Sequence, residues 1–263
     1  MMDKDQLFAE ERQLAILDHL RHTSKVTVGD LTGRFRVSSA TIRNDLRILE
    51  QQKLLLRTHG GAIPATKARF ELASKESEVS NLQAKRRIAE CALELIDDGD
   101  TIILDTGSTT LELARLLQRR NDLTVVTNDL KIAALLEEAP STAVVVVGGR
   151  LRRGFHCTVG ASGTEMLTML TVDKAFVGAN GFSLETGAGT PDLQQAEMKR
   201  TLISIANRVI LLADSSKIGR SSFVQFADLE EIDYLVTEEM GDTLKAALEE
   251  REIEVRIAAL KPR

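Results

Sequence analysis

Ile42, Leu46 and Leu49 stand at i, i+4 and i+7, a single apolar stripe at helical period. Ser38 precedes the stripe as a natural N-cap, because its hydroxyl can accept from a backbone N–H left free in the first turn. The spacing predicts a helix over 38–50. Upstream, Ile16, Leu17 and Leu20 predict a helix over 11–20, a polar break follows at 22–25, and a second short helix is predicted over 28–35. Arg36-Val37 then makes a tight connection into the third helix. Downstream, 53–64 has no helical period, and Gly60-Gly61 between short apolar runs is a hairpin turn signal. Three helices and a β-wing, the order of a winged helix-turn-helix, are thus predicted within residues 8–64.

From Gln83 the pattern changes. An amphipathic helix is predicted over 84–96, ending near Gly99, and short apolar runs then alternate with helical stretches. Strands are predicted at 101–104, 123–126, 143–147, 174–177, 208–212, 234–236 and 254–257. Helices are predicted at 109–119, 130–138, 192–206 and 243–250. Alternation of this kind implies a parallel sheet covered by helices on both faces. Between the two patterns, residues 65–82 are rich in Lys, Glu, Ser and Ala with little apolar periodicity, and read as a linker. The expected organisation is α/β: an N-terminal winged helix-turn-helix at 1–64, the linker, and a larger C-terminal parallel-sheet domain at 83–263.

Composition narrows the class. With 263 residues, 43% hydrophobic and 28% charged, the chain is long enough for a sizeable core and has the balance of a soluble globular protein. The N-terminus lacks the basic-then-apolar pattern of a secretory signal, and only Cys91 and Cys157 occur, far apart, so a cytoplasmic location without disulfides or zinc is expected. The net charge of −5 hides an asymmetry: residues 21–70 carry 10 basic and 3 acidic side chains on an otherwise acidic chain. A basic module on an acidic body is the electrostatic footprint of nucleic-acid binding.

The polar face of the 38–50 helix fits that footprint. It carries Ser38, Ser39, Thr41, Arg43, Asn44 and Arg47. Arg can reach guanine bidentately, Asn can do so for adenine, and hydroxyls reach phosphates or bases. In a helix-turn-helix this last helix lies in the major groove. Arg57 and His59 on the wing are candidates for phosphate or minor-groove contact. An ordinary amphipathic surface helix would show the same stripe, and what flanks it decides between the two readings.

In the C-terminal half, small and polar residues gather after several strands: Asp105-Thr106-Gly107-Ser108-Thr109-Thr110, Thr127-Asn128-Asp129, Gly148-Gly149-Arg150, Gly178-Ala179-Asn180-Gly181 and Asp214-Ser215-Ser216-Lys217. Carboxyl ends of strands are where open α/β sheets bind ligands. The turn at 107–110 can offer backbone N–H groups and hydroxyls to an anion, with Lys217 as compensating charge; a plain helix cap would also explain it. No Gly-x-Gly-x-x-Gly follows the first strand and no Gly-x-x-x-x-Gly-Lys-Ser/Thr occurs, so no nucleotide cofactor is indicated.

The run 38–46, centred on Thr41-Ile42-Arg43-Asn44-Asp45-Leu46, together with Arg57-Thr58-His59-Gly60-Gly61-Ala62, resembles the signature helix and wing of the DeoR family of bacterial sugar-metabolism regulators. The strand-end motifs resemble that family's effector domain, which is similar in fold to ribose-5-phosphate isomerase and other sugar-phosphate isomerases. The resemblance implies a DNA-binding transcriptional regulator, most often a repressor of carbohydrate utilisation, and not an enzyme. It also implies a phosphorylated sugar effector near Asp105, Gly107, Ser108, Thr109, Thr110, Asn128, Gly149, Arg150 and Lys217. Operator DNA and a second copy of the chain, as a homodimer or homotetramer, are the implied partners, with neither a metal nor a membrane. Glu197 and Lys199 match a further stretch of the family, and either line the site or sit on a solvated helix face. The rival reading is a sugar-phosphate isomerase with Asp105 or Glu197 as general base and an appended helix-turn-helix. A weaker third is a protein–protein adaptor.

Overall fold

The computed structural model describes residues 9–22, 26–52, 54–58, 60–64 and 81–258. The chain divides into two units, Met1–Lys75 and Glu76–Arg263. Residues 65–80 of the expected linker lie outside the described residues, as does His59.

The smaller unit runs α1 (Ala9–His22), β1 (Val26–Thr27), α2 (Val28–Phe35), α3 (Ser39–Gln51), β2 (Leu55–Thr58) and β3 (Gly61–Pro64). Local chemistry sets each boundary. Thr27 opens α2 with a capping box, its hydroxyl accepting from the Asp30 N–H while the Asp30 carboxylate accepts from the Thr27 N–H. Ser38 caps α3 by accepting from the Thr41 N–H at 3.1 Å. Ile42, Leu46 and Leu49 then turn inward to meet Ile16, Leu20, Leu31 and Leu55 in one core. The wing forms as the sequence predicts, with Leu55 opposite Pro64 and Thr58 opposite Gly61. Unforeseen was β1, which pairs antiparallel with β3 and makes the wing three-stranded. A Cβ on Gly61 would come within 1.9 Å of the Val26 carbonyl oxygen, so this strand contact admits only glycine.

The larger unit follows with α4 (Leu82–Leu93), β4 (Thr101–Leu104), α5 (Ser108–Ala114), β5 (Leu123–Thr127), α6 (Leu130–Leu136) and β6 (Thr142–Val146). Next come β7 (Arg150–Arg152), β8 (Cys157–Val159), α7 (Ala161–Leu167), β9 (Val172–Gly178), β10 (Gly181–Ser183), β11 (Gly187–Thr190) and α8 (Leu193–Ser204). The unit ends with β12 (Ala206–Leu212), β13 (Val224–Ala227), β14 (Tyr234–Thr237), α9 (Asp242–Glu249) and β15 (Glu254–Ile257).

Seven parallel strands pair in the order β15-β14-β12-β9-β4-β5-β6. Successive residues of β4 face opposite sides: Ile102 and Leu104 join a core with Ile88 of α4, Leu113 of α5 and Ile132 of α6, while Ile103 joins the other. That second core holds Ala196, Met198 and Leu202 of α8 with Phe182, Ala188 and Phe226 of a small antiparallel sheet, β10-β11-β13. The sheet is therefore covered on both sides, as its unbroken apolar strands require. One expectation needed correction, and two features had no counterpart in the predicted elements. The helix predicted over 109–119 stops at Ala114 and leads to a separate 3₁₀ turn at Leu117–Arg119. The β7–β8 hairpin and helix α7 fall where no element was predicted. The small glycine-rich sheet was not foreseen, because three- and four-residue strands carrying Gly181, Gly187 and Gly189 give little period-2 signal.

Candidate functional site

On α3, Ser39, Ala40, Arg43, Asn44 and Arg47 are exposed, while Ile42, Asp45, Leu46 and Leu49 are buried. The sequence-selected polar face is thus one continuous surface. Asp45 was not selected, yet it fixes how that surface is presented. Its carboxylate accepts from Arg12 Nε at 2.6 Å, Arg12 Nη2 at 3.2 Å and Gln13 Nε2 at 3.1 Å, with both members of the ion pair buried. A bidentate guanidinium–carboxylate pair fixes direction as well as distance, so α1 sets the angle of α3. The available signal was an acid placed on the apolar stripe, three residues after Ile42. Arg57 begins from a different position: its backbone N–H donates to Glu50 Oε1 at 3.0 Å and its guanidinium stands 3.7 Å from Glu50. An exposed pair of this kind is worth at most about 1 kcal/mol, so a DNA phosphate can displace it.

In the larger unit, β4, β5 and β6 lie to one side of the sheet centre and β9, β12, β14 and β15 to the other. The connections reverse direction between β4 and β9, which makes this a topological switch point, the place at strand carboxyl ends where open α/β sheets bind ligands. Asp105, immediately after β4, is fully buried there. Its Oδ2 accepts from the Gly178 N–H at the end of β9 at 3.1 Å and pairs with the ammonium of Lys199, which also donates to the Gly178 carbonyl at 2.8 Å. Asp105 Oδ1 has no partner among the described residues.

The end of β5 repeats the pattern. Asn128 Nδ2 donates to the Thr158 carbonyl at 2.9 Å, while the buried Asn128 Oδ1 has no partner among the described residues. Asp129 accepts from Thr106 Oγ1 at 2.7 Å and caps α6 through the Lys131 and Ile132 N–H groups; burial raises its carboxyl above the ordinary range. Gly107 caps α5 without any side-chain bond to that helix end. Thr109 and Thr110 are buried, and the Thr110 hydroxyl is spent on the Gly107 carbonyl at 2.9 Å. Ser108 is half-buried at the helix start. Lys217, in the turn after β12, is half-buried; its backbone N–H donates to the Asp214 carbonyl at 2.8 Å, and its ammonium has no hydrogen bond or ion pair among the described residues.

Arg150 is exposed and bonds Gln194 on α8, whereas Arg152 turns inward: it stacks 3.5 Å above the Phe155 ring and reaches Asp192 and Gln195 at 3.5 Å each. Gly149 serves as backbone, with φ of 137° and a notional Cβ 2.8 Å from the Val159 carbonyl. Of the pair left open by the sequence, Lys199 is buried in the Asp105 clamp and Glu197 is exposed. A general base at Glu197 therefore finds no support in its placement. Among the described residues no group of three His, Cys, Asp or Glu side chains stands close enough to hold a metal.

Cys157 lies within this polar set, and burial pushes its thiol up to about 11 from an ordinary 9.0, opposed by the Thr106 hydroxyl and Arg152. The folded state thus favours the neutral thiol. The resulting stabilisation is complete below about pH 9 and is lost as pH rises toward about 11. Denaturant unfolding followed by circular dichroism between pH 9 and 11 should show stability falling more steeply in the parent chain than in Cys157→Ala. Parallel slopes would contradict the shift.

Comparison with known proteins decides the family. A model described as the DeoR C terminal sensor domain matches residues 80–239, and one described as the DeoR-like helix-turn-helix domain matches residues 12–68. The chain belongs to the DeoR family. It is a DNA-binding transcriptional regulator, with its helix-turn-helix in the smaller unit and its sensor domain in the larger. The chain is similar to the HTH-type transcriptional regulator GlpR of Haloferax volcanii, 39% identical over 87% of this chain and 89% of that one. It is also similar to the HTH-type transcriptional repressor GlcR of Bacillus subtilis, 36% identical over 89% and 90%. Among solved structures, ribose 5-phosphate isomerase A from Methanocaldococcus jannaschii matches 53% of this chain and 55% of that one, at 23% identity and a TM-score of 0.40. No helix among the described residues of this DeoR-family chain is long and apolar enough to cross a membrane.

Proposed function

We propose that this DeoR-family regulator represses a carbohydrate-utilisation operon and is controlled by a phosphorylated sugar bound at the strand ends of the larger unit. The observation that carries the effector reading is that two buried acceptors at the strand ends, Asp105 Oδ1 and Asn128 Oδ1, have no partner among the described residues. An unpaired buried acceptor costs about 1–3 kcal/mol, and a ligand hydroxyl would remove that cost. The α5 terminus at Gly107 and the uncommitted Lys217 supply what a phosphate requires: backbone N–H groups and positive charge. Hydroxyls and an anion together describe a phosphosugar, and no further cofactor is needed.

On the DNA side, Arg43, Asn44 and Arg47 supply the base-reading face, Ser38, Ser39 and Thr41 surround the helix start, and Arg57 stands on the wing, with His59 two residues on in the sequence as a further candidate for phosphate contact. Operators are commonly paired half-sites, so a homodimer or homotetramer is the expected binding form. The effector acts by binding unequally to DNA-competent and DNA-incompetent states.

A thermal-shift panel of phosphosugars, the corresponding free sugars and inorganic phosphate tests this. At about 100 times its Kd, the right phosphosugar stabilises the larger unit by about 2.7 kcal/mol, a rise in Tm of roughly 5–10 °C. Lys217→Ala should abolish most of that rise. Equal shifts from free sugars, or an unchanged shift in the variant, would overturn the phosphate assignment.

A further inference from the structure

The two edges of the seven-stranded sheet differ in chemistry. At one edge β15 carries Glu254 and Arg256, whose side chains bond each other at 2.8 Å, and charged side chains on an edge strand deter pairing. At the other edge β6 reads Thr142-Ala143-Val144-Val145-Val146, with no charge, no proline and no shift in register. Among the described residues β5 is its only strand partner. The Val147 N–H, just past β6, donates to the Thr127 carbonyl at 2.8 Å, and in a parallel ladder alternate residues bond the same neighbour. The peptide groups of Ala143 and Val145 therefore also serve β5, and those of Val144 and Val146 point away from the sheet. The Val146 side chain is 44% exposed.

The segments flanking β6 carry opposite charge. Before it, Glu137 and Glu138 are exposed at the carboxyl end of α6, where the helix dipole disfavours acids. After it, Arg150 and Arg153 are exposed on the β7–β8 hairpin. The side chains of Glu137, Glu138 and Arg153 make no hydrogen bond or ion pair among the described residues. A strand that is acidic before, uncharged along and basic after is complementary to its own antiparallel copy. Two-fold symmetry brings the acidic end of each copy to the basic end of the other, whereas a parallel copy would set acid against acid.

We propose that β6 is the pairing edge for a second copy of this chain, with the two β6 strands antiparallel about a two-fold axis at Val145 and the two sheets joined into one. Val144 of each copy then lies opposite Val146 of the other, and such a pair can exchange both N–H···O bonds. An axis at Val144 would call on the Thr142 N–H, which is already bonded to the Ala139 carbonyl at 3.3 Å. The proposal rests on the reading that the regulator works as a homo-oligomer, and gives that assembly a surface.

Sedimentation velocity of the full chain, without DNA or effector, tests it with two charge-reversed variants. One is Glu137→Lys, Glu138→Lys and the other is Arg150→Glu, Arg153→Glu. Each alone sets like charges together at both ends of the interface, which should raise the dimer dissociation constant by at least about 100-fold. An equimolar mixture restores opposite charges at both ends, so it should associate as the parent does, in mixed dimers with one copy of each variant. Val146→Lys places a charge on the edge itself and should weaken pairing in the same way. In a tetrameric parent these variants stop at the dimer. Parent-like association of either charge variant alone, or of Val146→Lys, overturns the pairing edge, as does a mixture that stays in the smaller form. A parent chain that is monomeric at every concentration would instead refute the homo-oligomer reading itself.

Discussion

Lys199→Met is expected to destabilise the larger unit by about 3–5 kcal/mol, because it strands the Asp105 carboxylate in a site that excludes water. Asp105 and Lys199 are both buried, and the ammonium also holds the Gly178 carbonyl at the end of β9. Methionine fills much the same volume without replacing either bond. The Gly178 N–H, at 3.1 Å from Asp105, is then the only donor left to that oxygen among the described residues. Removing both charges should cost far less, so the double variant Asp105→Asn, Lys199→Met should recover most of the loss.

The measurement is convenient in this chain. Tyr234 is its only tyrosine and there is no tryptophan, so intrinsic fluorescence during urea unfolding follows the larger unit alone. A single variant within 1 kcal/mol of the parent chain, or a double variant no more stable than the single, would show that the clamp is not a buried pair.

What could be read in the sequence was what local chemistry determines. Ser38 as a cap, the Ile42–Leu46–Leu49 stripe and the Gly60-Gly61 turn each depend on neighbours within a few positions, and each is found. The seven strands of the central sheet were legible because buried parallel strands are short unbroken apolar runs. Contacts between distant residues were not. Arg12 and Asp45 are separated by 33 positions, and Asp105 and Lys199 by 94. Nothing near Lys199 distinguishes a buried ammonium from one on a solvated helix face until the sheet places the end of β4 beside it. Arg150 and Arg152 could not be ranked either: at i and i+2 they share a face of β7, and only the contacts Arg152 makes with Phe155, Asp192 and Gln195 in the folded chain separate them.

The second large effect concerns DNA. Arg43 and Asn44 are exposed, so replacing both with alanine leaves the core of the smaller unit intact, and alanine is the better helix former. Each base-reading side chain contributes about 1–3 kcal/mol of affinity, so losing both should weaken binding by roughly 10²–10⁴-fold. What remains is phosphate attraction, which falls steeply with salt and carries little sequence preference. The decisive measurement is therefore a mobility shift of the full-length chain on the DNA sequence that the parent protein enriches from a random-sequence pool, comparing the parent with the Arg43→Ala, Asn44→Ala variant at matched ionic strength. With α3 as the reading helix, the variant keeps the parent Tm and binds that sequence at least about 100-fold more weakly, barely better than random DNA. A variant that folds normally and retains full affinity for the sequence would contradict it.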